Sequence, residues 1–101
     1  MSHPGISRKM DTLTQAHIFY SGMVQGVGFR YTVHRIAKDL KLKGWVKNQL
    51  DGRVEILAEG QREKIDDLLR NVERHFDAYI TDKQITYQES KGEFKEFQII
   101  L

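Results

Sequence analysis

The sequence predicts an α+β sandwich, with two helices on one face of an antiparallel sheet of four to five strands in the order βαββαβ. Three observations carry this expectation. Apolar residues recur at helical spacing in two separate stretches, they alternate in several shorter ones, and Asp51-Gly52 stands between two of the alternating runs. At 101 residues the chain has room for one core, so residues 16–101 are expected to form a single domain.

His17 to Met23 alternates, with Ile18 and Tyr20 facing one way, and reads as a first strand. Phe29, Val33, Ile36, Ala37 and Leu40 follow at offsets of 4, 7, 8 and 11, which is one stripe of a helix. Gly44 to Asn48, containing Trp45 and Val46, reads as a second strand, and Asp51-Gly52 is the pair favoured in tight hairpin turns. Arg53 to Glu59 is the third strand, with Val54, Ile56 and Ala58 inward. Ile65, Leu68, Leu69, Val72 and Phe76 mark a second helix starting near Gly60. Ile85 with Tyr87, and Phe97 with Ile99, suggest closing strands. This succession is the split strand–helix–strand arrangement of ferredoxin-like sandwiches. One sheet face is then left partly wet, and Phe19 on it is an ordinary exposed apolar residue.

Residues 1–15 are polar, hold the only proline and show no sustained period, so a mobile N-terminal tail is expected. Met10 as an alternative start would make the first nine residues dispensable. The chain has no cysteine, which excludes a disulfide framework and a thiolate metal site. No apolar run is long enough to cross a bilayer and no hydrophobic signal segment opens the chain; a cytoplasmic monomer without membrane contact is expected. The net charge of +2 is too small to argue for nucleic acid, yet it suits a small anionic ligand.

Three glycines fall within Gly22-Met23-Val24-Gln25-Gly26-Val27-Gly28, between the first strand and the first helix. A loop with so few side chains can curl its N–H groups around an anion, and the helix N-terminus adds positive potential. Arg30 adds a planar fork suited to two phosphate oxygens. No Gly-Lys-Ser/Thr follows, and Tyr31 stands where a dinucleotide fingerprint needs its third glycine. Taken alone, such a loop is more often a turn whose glycines are merely conformational than a phosphate site. The topology supplies a second piece. A right-handed crossover sets the first and second strands parallel with the third between them. Their C-terminal ends then share one sheet edge, so Asn48 meets the loop.

With both pieces in view, the chain resembles the acylphosphatase family. Gly22-Met23-Val24-Gln25-Gly26-Val27-Gly28-Phe29-Arg30 is one carrier of the resemblance. Gly44-Trp45-Val46-Lys47-Asn48, with Asp51-Gly52 and Val54-Glu55, is the other. The similarity runs from about His17 to Phe97. It implies a small ferredoxin-like enzyme that hydrolyses acyl phosphates to carboxylate and phosphate without metal or cofactor. It also implies that Arg30 binds phosphate, that Asn48 positions water, and that Gln25, Gly26, Val27, Gly28 and Phe29 form a backbone cradle. Met23 departs from the polar residue common at its position, and His75 to Thr81 lacks a frequent proline-containing pattern; both bear on substrate preference.

The implied chemistry asks little of the side chains. The leaving carboxylate has a conjugate acid with a pKa of ~4, so it departs without a general acid. Positioning and charge stabilisation remain, and in phosphoryl transfer these two effects supply most of the rate enhancement. Of the other polar residues, His34 is expected to pack or lie at the surface, and His3, His17 and His75 show no metal-ligand spacing. Asp66, Asp67, Glu55, Glu59, Glu63 and Arg62 read as surface charge, and Trp45 as wall or core beside the site. An RNA-binding module is the rival reading, since Gly28-Phe29-Arg30-Tyr31 is similar to part of an RNA-recognition motif. A non-catalytic anion-binding domain is a second alternative.

Overall fold

Short alternating runs pair into one five-stranded sheet, and the two helical stripes close over a single face of it. The computed structural model describes residues 13–101. In chain order the elements are β1 (Thr14–Gly22), α1 (Phe29–Asp39), β2 (Lys43–Asn48), β3 (Val54–Gly60), α2 (Arg62–His75), β4 (Ile80–Glu89) and β5 (Phe97–Ile100). The sheet order is β4-β1-β3-β2-β5. The expected α+β ferredoxin-like class and the insertion of β3 between β1 and β2 are both met.

Two expectations need correction. The sheet is mixed rather than antiparallel, because β5 pairs parallel with β2. β1 also starts earlier than expected: Thr14 pairs with Gly60 and Gln15 with Glu59. These two residues of the expected tail therefore belong to the sheet, where pairing satisfies their backbone groups although their side chains gave no apolar signal. The rest of that tail, with Met10, lies outside the described residues.

Register shows which residues share a face. Ile18, Ile56 and Val46 stand side by side on β1, β3 and β2, as do Ala16, Ala58 and Gly44. With Val33, Ile36, Ile65, Leu68 and Val72 from the helices they form the buried core. The opposite face carries His17, Phe19, Trp45, Lys47, Glu55 and Leu57. Phe19 is not simply exposed there; it is half-buried, with the Arg53 guanidinium 4.2 Å from its ring centre. Glu59 departs furthest from its expected surface role: it is buried, and Gln15 Nε2 donates to its carboxylate at 2.8 Å.

Helix α1 hands the chain to β2 through a tight reversal. Lys41 N donates to Lys38 O and Leu42 N to Ala37 O, with Lys41 in the left-handed region at φ 60°. This is a Schellman ending with lysine where glycine is usual. Three residues after Lys41, Gly44, at φ 129°, passes so close to β3 that a Cβ would lie 1.8 Å from Leu57 O.

Opposite outcomes are expected at these two positions. Gly44→Ala should destabilise by about 3 kcal/mol or more, through backbone strain and overlap with β3. Lys41→Gly should stabilise by about 0.5–1 kcal/mol, since the released left-handed strain exceeds the added unfolded-state entropy. Urea midpoints of the two variants check both signs.

Candidate active site

β1 leaves the sheet at a backbone contact that admits no side chain. Gly22 has φ 122°, and a Cβ there would lie 2.1 Å from Tyr79 O, the atom to which Met23 N donates at 2.9 Å. The α2–β4 connection thus buttresses the start of the loop. Val24 is fully buried and pins the next residue to the core.

The following side chain ties the loop to the β2–β3 hairpin. Gln25 Nε2 donates to Gln49 O at 2.7 Å and to Arg53 O at 2.9 Å. Both carbonyls already accept a bond across the hairpin, Gln49 O from Gly52 N and Arg53 O from Gln49 N. Gln25 therefore uses their second lone pairs. The hairpin is itself closed by Asp51, whose carboxylate accepts from Arg53 N at 3.1 Å and from Arg53 Nε at 2.9 Å. The Arg53 backbone bond, with the guanidinium adding to it, holds the Asp51 carboxyl below its usual range.

Gly26 and Gly28 then take φ 80° and 83°, and a Cβ at either would meet nothing within 4 Å. Their requirement is conformational: left-handed residues turn successive N–H groups toward a common concavity. Gly28 is the N-cap of α1, no side chain caps the helix, and its first turn holds no acidic residue. The first-turn N–H groups have no intrahelical partner and carry the positive end of the helix dipole. Phe29 anchors this end, its ring 5.5 Å from Tyr20 and 4.6 Å from Phe76. Beneath it the Tyr20 hydroxyl donates to Glu73 at 2.7 Å, and burial, reinforced by that carboxylate, pushes its pKa up. Arg30 is half-buried one residue on and joins no salt bridge among the described residues.

Asn48 reaches the same place from β2. It pairs with Val54, which pairs with Tyr20, so the three lie in a row about 10 Å long across the strands. Directly opposed residues share a face, and Tyr20 and Val54 face the helices, so Asn48 does too. Its Oδ1 is buried and has no hydrogen-bond partner among the described residues. A buried acceptor left unpaired costs about 1–3 kcal/mol.

The structure thus brings the glycine loop, the start of α1 and Asn48 to one end of the helix-covered face. Gln25, Gly26, Val27, Gly28 and Phe29 lie on the continuous segment leading to Arg30, and the ring of Phe29 belongs to the core. Sequence reasoning missed the side chain of Gln25, which clamps the loop to the hairpin; a long amide beside two small-residue turns was the available signal. Met23, Val27, Tyr31 and Leu50, all exposed, make the flanking side chains apolar.

Other expected residues lie elsewhere. Trp45 is on the open face with Lys47 Nζ 5.4 Å from its ring centre, so it is not a wall of this site. His34 packs with its ring 6.3 Å from that of Phe97. Asp66 and Asp67 are exposed partners of Arg62 and Arg70. Among the described residues no group of three or more histidine or acidic side chains could hold a metal ion. No described helix is long and apolar enough to cross a membrane. A separate cleft, lined in part by Leu13, Leu40, Leu42, Gly60 and Phe94, lies at the opposite end of the sheet and includes neither Arg30 nor Asn48.

Comparison with known proteins points the same way. The acylphosphatase family model matches residues 16–99. An acylphosphatase of Acaryochloris marina is 45% identical over 80 residues, 79% of this chain and 86% of the relative. One of Nostoc is 41% identical over 87 residues, 85% of this chain and 86% of the relative. The crystal structure of acylphosphatase from Bacillus subtilis superposes with a TM-score of 0.80 at 40% identity, covering 87% of this chain and 99% of that one.

The clamp makes a graded prediction. Gln25→Ala should cost about 1–2 kcal/mol, the net worth of two hydrogen bonds whose acceptors keep other partners. Gln25→Glu should cost more at neutral pH, because a carboxylate would face two carbonyl oxygens with no proton to offer. Chemical denaturation of both variants checks the order.

Proposed function

The chain belongs to the acylphosphatase family and is a hydrolase of that class, and we propose that it cleaves acyl phosphates with Arg30, the 25–29 backbone and Asn48 as the working groups. The observation that carries this reading is the buried, unpaired Oδ1 of Asn48, on the sheet face and at the sheet end where α1 begins. An acceptor in that position is suited to a hydrogen of water. The Arg30 guanidinium and the N–H groups of the loop and first helical turn suit the phosphoryl oxygens.

The step divides accordingly. The water oxygen forms a bond to phosphorus while the bond from phosphorus to the acyl oxygen breaks, and the carboxylate leaves with the electron pair. Arg30 and the N–H groups stabilise the phosphoryl oxygens as charge redistributes. Asn48 orients the water in line with the departing oxygen. It is too weak a base to take the proton, which passes to a phosphoryl oxygen. The product is a carboxylate with inorganic phosphate.

The RNA-binding alternative loses its main support. Phe29 is buried in the core at the start of α1, so Gly28-Phe29-Arg30-Tyr31 forms no stacking platform on the sheet.

Phosphate release from a simple acyl phosphate should greatly exceed release from a phosphate monoester, whose alkoxide needs acid assistance this site does not offer. Arg30→Gln should lose both phosphate affinity and turnover. Asn48→Ala should keep phosphate affinity and lose roughly 10²- to 10³-fold in kcat, the scale of one preorganised polar group. Parent-like turnover in either variant would refute the role given to that residue. Activity should also persist through prolonged treatment with chelator; loss that added metal restores would contradict the cofactor-free reading.

A further inference from the structure

We infer that Glu55, on the open face of the sheet, is a positioning residue that orients Asn48 on the other face by latching Gln49. The inference rests on the role proposed above for Asn48 and deepens it.

Asn48 ends β2, so its side chain and that of Gln49 project to opposite sides. Asn48 faces the helices. The Gln49 side chain emerges on the open face, where its Nε2 donates to Glu55 Oε1. The other carboxylate oxygen of Glu55 bonds to His17 Nε2 at 2.5 Å. Glu55 is thereby held between β1 and the end of β2, and its side chain is only 12% exposed. The Gln49 carbonyl is gripped independently by Gln25. Besides its backbone bonds across the hairpin, the residue following Asn48 is thus fastened by its carbonyl to the loop that leaves β1 and by its amide side chain to the open face.

Such a double latch fixes the backbone at Gln49; together with the Gln49 N–H bond to Arg53 O it steadies the 48–49 peptide, and with it the aim of Asn48 Oδ1. That matters because Oδ1 has no hydrogen bond of its own to hold it. Its direction depends on the backbone that carries it. A small angular error displaces the oriented water from the line of attack, which lowers turnover without touching the phosphate cradle.

The test separates orientation from binding. Glu55→Ala and Gln49→Ala should each lower kcat about tenfold on a simple acyl phosphate, with the affinity for inorganic phosphate unchanged. The double variant should be no worse than either single one, since both break the same latch. Glu55→Gln, which keeps an oxygen acceptor for Gln49, should retain most activity. In amide-detected NMR of the phosphate-bound protein, the Asn48 side-chain resonances should shift or broaden in Gln49→Ala, a readout that does not depend on turnover. An unchanged Asn48 signal, additive losses in kcat, or a parallel loss of phosphate affinity would each overturn the inference. A parent protein that bound phosphate but released none from acyl phosphates would instead overturn the proposed function, and the NMR comparison would still judge the latch.

Discussion

The site depends on one amide side chain spanning two pieces of backbone. Gln25 sits on the loop that leaves β1, and its Nε2 bonds to the carbonyls of Gln49 and Arg53 on the β2–β3 hairpin. Sheet pairing alone sets the ends of β1 and β2 about 10 Å apart, with β3 between them. It says nothing about how a flexible glycine loop folds over that edge. The Gln25 bonds do, because a single nitrogen with two protons fits where two carbonyls present their second lone pairs side by side. Loop and hairpin become one rigid unit, and Asn48 is adjacent to one of the two carbonyls.

Around that unit the chain balances rigidity against unspent polarity. Below the loop lies the packed aromatic group of Tyr20, Phe29 and Phe76, and behind it the backbone contact between Gly22 and Tyr79. Above it are groups a folded protein ordinarily satisfies: uncapped N–H groups at the start of α1, an Arg30 without an ionic partner among the described residues, and a buried orphan oxygen on Asn48. Retaining them costs stability, and the cost falls at one place. Binding of a phosphoryl group with a water would satisfy all three, which is the physical meaning of a preorganised site.

Legibility from the sequence varied with the range of the interaction. Both helices were readable, because five apolar residues at offsets of 3 and 4 leave little choice, and their boundaries came within about two residues. The Asp51-Gly52 hairpin and the strands flanking it were equally plain. Gly26, Gly28, Arg30 and Asn48 were singled out through spacing and family resemblance. The start of β1 at Thr14 was not, since Thr14 and Gln15 are polar and only pairing with β3 and β4 draws them into the sheet. The burial of Glu59 was invisible for the same reason: its partner Gln15 lies 44 residues away.

By itself the sequence determined the order and type of the elements, the glycine positions that allow a left-handed loop, and the identity of the chemical groups available. These follow from local rules of period, backbone freedom and side-chain type. Only the tertiary structure decided that Gln25 serves as a clamp, that β5 runs parallel to β2, and that Asn48 faces the helices while Gln49 faces away. The reason is geometric. Hydrogen-bond partners 24 and 28 residues apart are chosen by where packing sets the backbone, and no local pattern in either segment encodes the other's position.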